Sequence, residues 1–222
     1  MTDPQSGESA SPEASALGLG GDLFGIEREV LTHSDLRGEL LTVVCRRAYP
    51  VPVDALFTAL TDPGQLAAWF LPVTGELQPG GTFQAVGNAG GEIRRCVRPT
   101  LLRFTWGDDS SIVELRFTTH PTGPAGPAAS STLELRHTVP LELAGNGTGA
   151  FFVGPGWDAA LYALGAYLDS TPIIRPGTPA EQIFNKRSLL AWALVVEASD
   201  TATGDEVAAA VETTLPMWAP DL

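Results

Sequence analysis

An α+β fold, a curved antiparallel sheet gripping a long helix, is predicted by three observations in the chain. The run Ala55 to Phe70 holds two short helical stretches split by Asp62-Pro63. Short alternating segments punctuated by Gly and Pro follow it, and Gly154-Pro155-Gly156-Trp157 then opens a long helix. A sheet with one apolar face needs a cover, and the space between sheet and cover can hold an apolar ligand.

The elements follow in order. From Glu39 to Tyr49 a density of Leu, Val and Thr suits a strand, which Pro50 and Pro52 end by removing donors. Pro52 sits at the first turn of a helix through Leu60, with Leu56, Phe57 and Leu60 on one face. Asp62-Pro63 restarts the chain as a second helix, because an Asp cap satisfies one free amide and Pro omits another. That helix ends near Trp69-Phe70, aromatics that suit core packing or direct contact with a ligand.

Strands are expected around Val73 to Leu77, Thr82 to Val86, Glu92 to Val97, Leu101 to Trp106, Ser111 to Thr118 and Thr132 to Val139, separated by turn residues and a longer Pro121 to Ser130 loop. Alternation places Leu102, Phe104, Trp106, Val113, Leu115, Phe117, Leu133, Leu135, His137 and Val139 on one face. It places Glu114, Arg116, Glu134 and Arg136 on the other. The charged face is wet and the apolar face must be covered. Trp157, Leu161, Leu164 and Leu168, at helical spacing, supply that cover, with Asp158 favourably in the first turn. Ala160, Ala163, Gly165 and Ala166 permit either close packing or a cavity. Beyond the connector Thr171 to Thr178, a helix over Pro179 to Ala198 offers Ile183, Phe184, Leu190, Trp192 and Leu194. A last helix runs from Asp205 to about Leu215.

A chain of 222 residues, 44% apolar, can bury one sizeable core. Its formal charge of −13 argues against nucleic acid and anionic lipid as partners. No basic region precedes an apolar run, and no stretch suits a spanning helix, so a soluble cytoplasmic protein without membrane insertion is expected. Residues 1–22, rich in Ser, Pro, Ala, Gly and acid, read as a disordered tail. The expected organisation is that tail, a domain over 23–170, and a linker with helical extension over 171–222. Cys45 and Cys96 read as reduced core residues.

With these residues in view, the chain resembles the START-like (SRPBCC) superfamily, in the branch related to activators of heat-shock-protein ATPase. The matching pieces are Arg47 to Asp54 with the Ala59 to Pro63 and Trp69-Phe70 segments, Pro79-Gly80-Gly81, Gly87 to Glu92, Thr105-Trp106, Leu133 to His137 and Gly156-Trp157. They cover about Gly38 to Leu168. The tail with Ser188, Trp192 and the last helix looks like extensions of bacterial members. The resemblance implies a helix-grip fold whose relatives mostly bind lipids, polyketides or other apolar small molecules, some acting as cyclases and some regulating partner proteins. Eukaryotic activators use a separate amino-terminal domain, and nothing before Gly38 is long enough to be one, so chaperone activation is not expected.

Residue chemistry narrows this further. His137, on the apolar face, is either a satisfied core histidine or a neutral imidazole that orients a ligand or acts as a base. His33 and His120 fall in a terminal segment and a loop, and with the two cysteines give no zinc-ligand spacing. No phosphate-cradling Gly-rich loop or Gly-x-Ser-x-Gly elbow is present, so no cofactor is expected. Arg94, Arg95, Arg98 and Arg103 read as solvated partners of carboxylates or as groups at a pocket mouth. The first expectation is binding of a small apolar or amphipathic molecule by Trp69, Phe83, Phe104, Trp106, Leu115, His137, Trp157 and Leu161, with no catalytic residue assigned. The alternatives are a cyclase or hydrolase using His137, and a regulatory protein whose carboxy-terminal helices meet a partner or a second copy in a homodimer.

Overall fold

The computed structural model describes residues 25–120 and 129–222. The tail expected at 1–22 and most of the loop expected from Pro121 lie outside them. The chain begins with β1 (Glu27–Asp35) and β2 (Gly38–Tyr49), then α1 (Val53–Ala59) and α2 (Pro63–Trp69). Strands β3 (Val73–Gly75), β4 (Thr82–Ala85), β5 (Gly90–Val97), β6 (Leu101–Trp106), β7 (Asp108–His120) and β8 (Ser130–Pro140) follow. A short α3 (Leu141–Ala144) and a 3-10 turn (Gly147–Phe152) lead into α4 (Gly154–Leu168), α5 (Pro179–Ala198) and α6 (Gly204–Trp218).

The strands form one eight-stranded antiparallel sheet in the order β1-β2-β8-β7-β6-β5-β4-β3. Val43, His137 and Val113 stand in one row across β2, β8 and β7, and Cys45, Leu135 and Leu115 in the next. These inward rows meet α4, whose Trp157, Leu161 and Leu164 are buried. On the outer face Arg46 joins Glu134 and Glu29 at 2.6 and 2.9 Å, and Arg116 pairs with Glu114. The two faces are those read from the alternation. The α2 cap is also as expected: Asp62 accepts from the Gln65 amide, with Pro63 next in the chain.

Several expectations are corrected. The strand β1 has no counterpart among the expected elements: its inward positions are Arg28, Val30 and Thr32, too polar to read as an apolar face, although they pair opposite Cys45, Val43 and Leu41. His33 therefore lies in a strand, and His120 ends β7 rather than lying in a loop. Cys45 is buried but Cys96 is exposed, and both are free thiols. The buried line of α5 is Phe184, Ser188, Trp192 and Val196, one residue every turn, whereas Ile183 and Leu194 face outward.

Asp158 departs furthest from its sequence reading. It does not cap the helix dipole at the surface; its side chain is wholly buried and accepts from Arg28 Nε of β1 at 2.9 Å. Ser188 Oγ and Trp192 Nε1 of α5 donate to the same carboxylate at 2.5 and 3.2 Å. One buried acid thus ties the edge strand, the gripping helix and the first carboxy-terminal helix together. Close approach completes the joint, because a Cβ on Gly154 would stand 2.5 Å from the Trp192 ring. Gly154→Ala is expected to lower stability by about 1–3 kcal/mol through overpacking. Urea unfolding checks it, and an unchanged midpoint would show that Trp192 can retreat.

Candidate functional site

An apolar cavity of about 170 Å³ lies between α2, strands β3 to β8 and α4. Leu102, Leu115, Leu133 and Leu135 of the sheet form its floor, and Ala160, Leu161 and Leu164 of α4 face them. Its mouth is edged by the exposed Leu77, Gln78, Pro79 and Cys96. Small size at Ala160 leaves room where a larger residue would close the space. Gly165 matters for a different reason, since it clears a path for the Arg47 guanidinium, 2.7 Å from a Cβ there. Arg47 and Tyr49 both donate to the Leu161 carbonyl, at 2.7 and 3.0 Å, and so fix the helix turn that forms one wall.

Aromatic side chains make up another side. Trp106 is at the centre, with ring centroids 5.4 Å from Trp157, 6.1 Å from Phe104, 6.2 Å from Phe83 and 6.4 Å from Phe70. Phe83 and Phe104 meet edge to face at 5.5 Å, the arrangement that ring quadrupoles favour. An irregularity in the β6–β7 register falls at Thr105 and Trp106, a position where such bulges re-aim a side chain.

The cavity gathers Trp69, Phe83, Phe104 and Trp106 with Leu115, Trp157 and Leu161, all singled out from the sequence. It does not include His137, which stands behind Trp157. The Trp157 indole Nε1 donates to His137 Nδ1 at 3.0 Å, and Ser111 Oγ lies 2.8 Å from Nε2. Because an indole nitrogen can only donate, Nδ1 must be the bare nitrogen and Nε2 carries the proton toward the serine. Burial pushes the imidazole down to about 4, so it is neutral at physiological pH. Its two nitrogens are both engaged, and its role in this geometry is to hold the Trp157 ring against the cavity. Of the readings open in the sequence, the geometry fits the satisfied core histidine.

None of the four arginines read as a basic cluster lines the cavity. Arg94 pairs with Glu92, Arg103 approaches Glu114 at 3.9 Å, and Arg98 reaches Thr58 Oγ1 while lying over the Phe57 ring. The lining contains no Asp, Glu, Lys, Arg or His. Leu60, Leu66, Phe70, Val73 and Ile93 also line it, beyond the residues expected from the sequence. Alternation could have suggested Ile93 opposite Phe104. The mouth residues Leu77 to Pro79 carry no such signal, since they belong to a turn. No group of His, Cys, Asp and Glu among the described residues is placed to hold a metal ion. No helix among them is long and apolar enough to cross a membrane.

Known proteins share this architecture. The crystal structure of CalU16 from Micromonospora echinospora is 32% identical, with a TM-score of 0.60 over 78% of this chain and 98% of that one. Its solution structure is 29% identical, with a TM-score of 0.60 over 79% and 97%. EF2215 from Enterococcus faecalis, a conserved protein of unknown function, is 18% identical with a TM-score of 0.51 over 75% and 91%, a likeness of fold alone. No curated protein matches the chain. The model of the family described as activator of Hsp90 ATPase homolog 1-like protein matches residues 50–169, which span both the grip of the sheet and α4. With that match over more than half its length and the helix-grip architecture around it, the chain belongs to the activator of Hsp90 ATPase homolog 1-like family.

Proposed function

We propose that this protein binds one small apolar molecule in the cavity between α2, the inner sheet and α4. The observation that supports this is a wall made mainly of aliphatic and aromatic side chains with no charged residue in it. Such a wall supplies area and dispersion contacts and lacks an acid–base pair, which favours binding over proton transfer. An apolar cavity of about 150 Å³ accommodates a benzene-sized molecule, so the space here suits a ring system whose remainder reaches the mouth. Removing about 200 Å² of apolar surface from water yields about 5 kcal/mol before the cost of association. Ring contacts of about 0.5–1.5 kcal/mol each add to it.

Titration with the neutral fluorophore N-phenyl-1-naphthylamine tests this reading. The wild type should take it up saturably, one molecule per chain. Ala160→Phe, which fills the cavity from the helix side, should weaken uptake at least about tenfold, equivalent to about 1.4 kcal/mol, while circular dichroism stays unchanged. Absence of saturable uptake, or a folded Ala160→Phe protein that binds as well as wild type, would refute the proposal.

A further inference from the structure

Away from the cavity, unused bonding capacity lies along β1, which forms one margin of the sheet. The other margin, β3, is blunted by its length of three residues. In contrast, β1 runs for nine residues and keeps an unbroken register with β2. Half of the N–H and C=O groups of an antiparallel strand point away from a given neighbour. From Glu29 to Ser34 the groups that point away from β2 have no hydrogen-bond partner among the described residues. Proline, lysine and bulges, three guards of such an edge, are all missing between Glu27 and Asp35. Residues Thr32 to Asp35 are exposed, and Leu36 at the hairpin tip is fully so.

The side chains along this edge fit a second copy of the same strand. Antiparallel pairing about a two-fold axis at Leu31 aligns both strands over their whole length, and directly opposed residues then share a face. Glu29 stands opposite His33 of the second copy, and His33 opposite its Glu29, while the two Leu31 side chains meet at the axis. Such cross-strand pairs stabilise a sheet. Moving the axis to Thr32 sets Glu29 against Asp35, and moving it to Val30 sets Glu29 against Leu31, so the charges favour the central register. At the strand ends Glu27 faces Asp35, whose charge Arg37 already offsets at 2.8 Å. The same register brings the exposed Leu36 toward Ile26 of the second copy.

We infer that two copies of the chain associate through their β1 edges, joining two eight-stranded sheets into one antiparallel sheet. Two nine-residue edges make a small interface, so association is weak and depends on concentration. The cavity mouth at Leu77, Gln78, Pro79 and Cys96 belongs to the far side of the sheet. Dimerisation is therefore independent of ligand uptake.

Analytical ultracentrifugation of the full chain at concentrations up to about 500 μM tests this. The wild type should pass from monomer to dimer with a micromolar dissociation constant. Leu31→Lys sets two like charges together at the axis and should weaken dimerisation at least about tenfold. His33→Glu opposes Glu29 and should weaken it roughly threefold, whereas His33→Lys should tighten it by about the same factor. Circular dichroism checks that each variant is folded, and the opposed pair at the exposed His33 keeps the test decisive if Leu31→Lys misfolds. A wild type that stays monomeric throughout would overturn the inference. So would a dimer indifferent to these substitutions, which would place the contact on another surface.

Discussion

Replacing Arg28 by methionine is expected to destabilise the protein by about 3–5 kcal/mol, the cost of leaving a buried carboxylate without its counter-ion. The side chains of Arg28 and Asp158 are 3% and 0% exposed, so water cannot take the place of the missing guanidinium. Burial already pushes the Asp158 carboxyl above its usual range, against the pull of Arg28, Ser188 and Trp192. Without Arg28 it should rise further. A folded state that holds this proton more tightly than the unfolded chain loses stability as pH rises from the ordinary carboxylate range through the raised value. The Arg28→Met protein should therefore be least impaired in acid and most impaired at neutral pH.

Urea unfolding across pH checks this, with Trp192 fluorescence reporting on α5. The double variant Arg28→Met, Asp158→Leu removes both charges and should recover most of the loss. If it is as unstable as the single variant, the joint depends on shape rather than charge. Asp158 Oδ1 has no partner among the described residues, so the carboxylate is not fully satisfied even in the wild type. That is a further reason for an apolar replacement of the pair to be tolerated.

The second large effect concerns acid. His137 is 3% exposed and titrates near 4, below the ordinary 6.5 of a free imidazole. The unfolded chain takes up this proton first as pH falls, so the stability contributed by the neutral ring is complete above about 6.5 and is lost toward 4. Between pH 7 and 4.5 this one group should lower unfolding free energy by about 2–3 kcal/mol. His137→Gln keeps an acceptor for Trp157 and a donor for Ser111 but cannot titrate in this range. Its stability should be flatter than wild type by that amount in parallel urea titrations. Equal slopes would mean that the ring is charged or solvated in the native state. Protonation would also turn Nδ1 into a donor facing the Trp157 N–H, so a shift in Trp157 emission should accompany the loss.

The sheet is legible wherever alternation is clean. Leu102, Phe104 and Trp106 and the rows through Leu115 and Leu135 have an apolar period of two, which can only mean one covered face. The aromatic part of the cavity follows, because its residues occupy those same inward positions. The edge strand is not legible, since Arg28 takes an inward position that a sequence pattern reserves for apolar residues. Nor is the identity of its partner, as Arg28 and Asp158 are far apart in the chain and meet only when β1 and α4 pack. For the same reason His137 can be placed on the correct face without its neighbours: Ser111 and Trp157 approach it through register and helix docking.

An antiparallel sheet, its wet and dry faces, the helix that covers the dry one and the aromatic character of the space between are all written in the order of the residues. They follow from short-range periodicity, which every segment carries within itself. Which polar groups are engaged emerges only when the elements pack together. Hydrogen-bond partners come from different elements, and their pairing depends on distances of a few tenths of an ångström that no local pattern encodes. His137 is thereby committed to Trp157 and Ser111, and Asp158 to Arg28, Ser188 and Trp192.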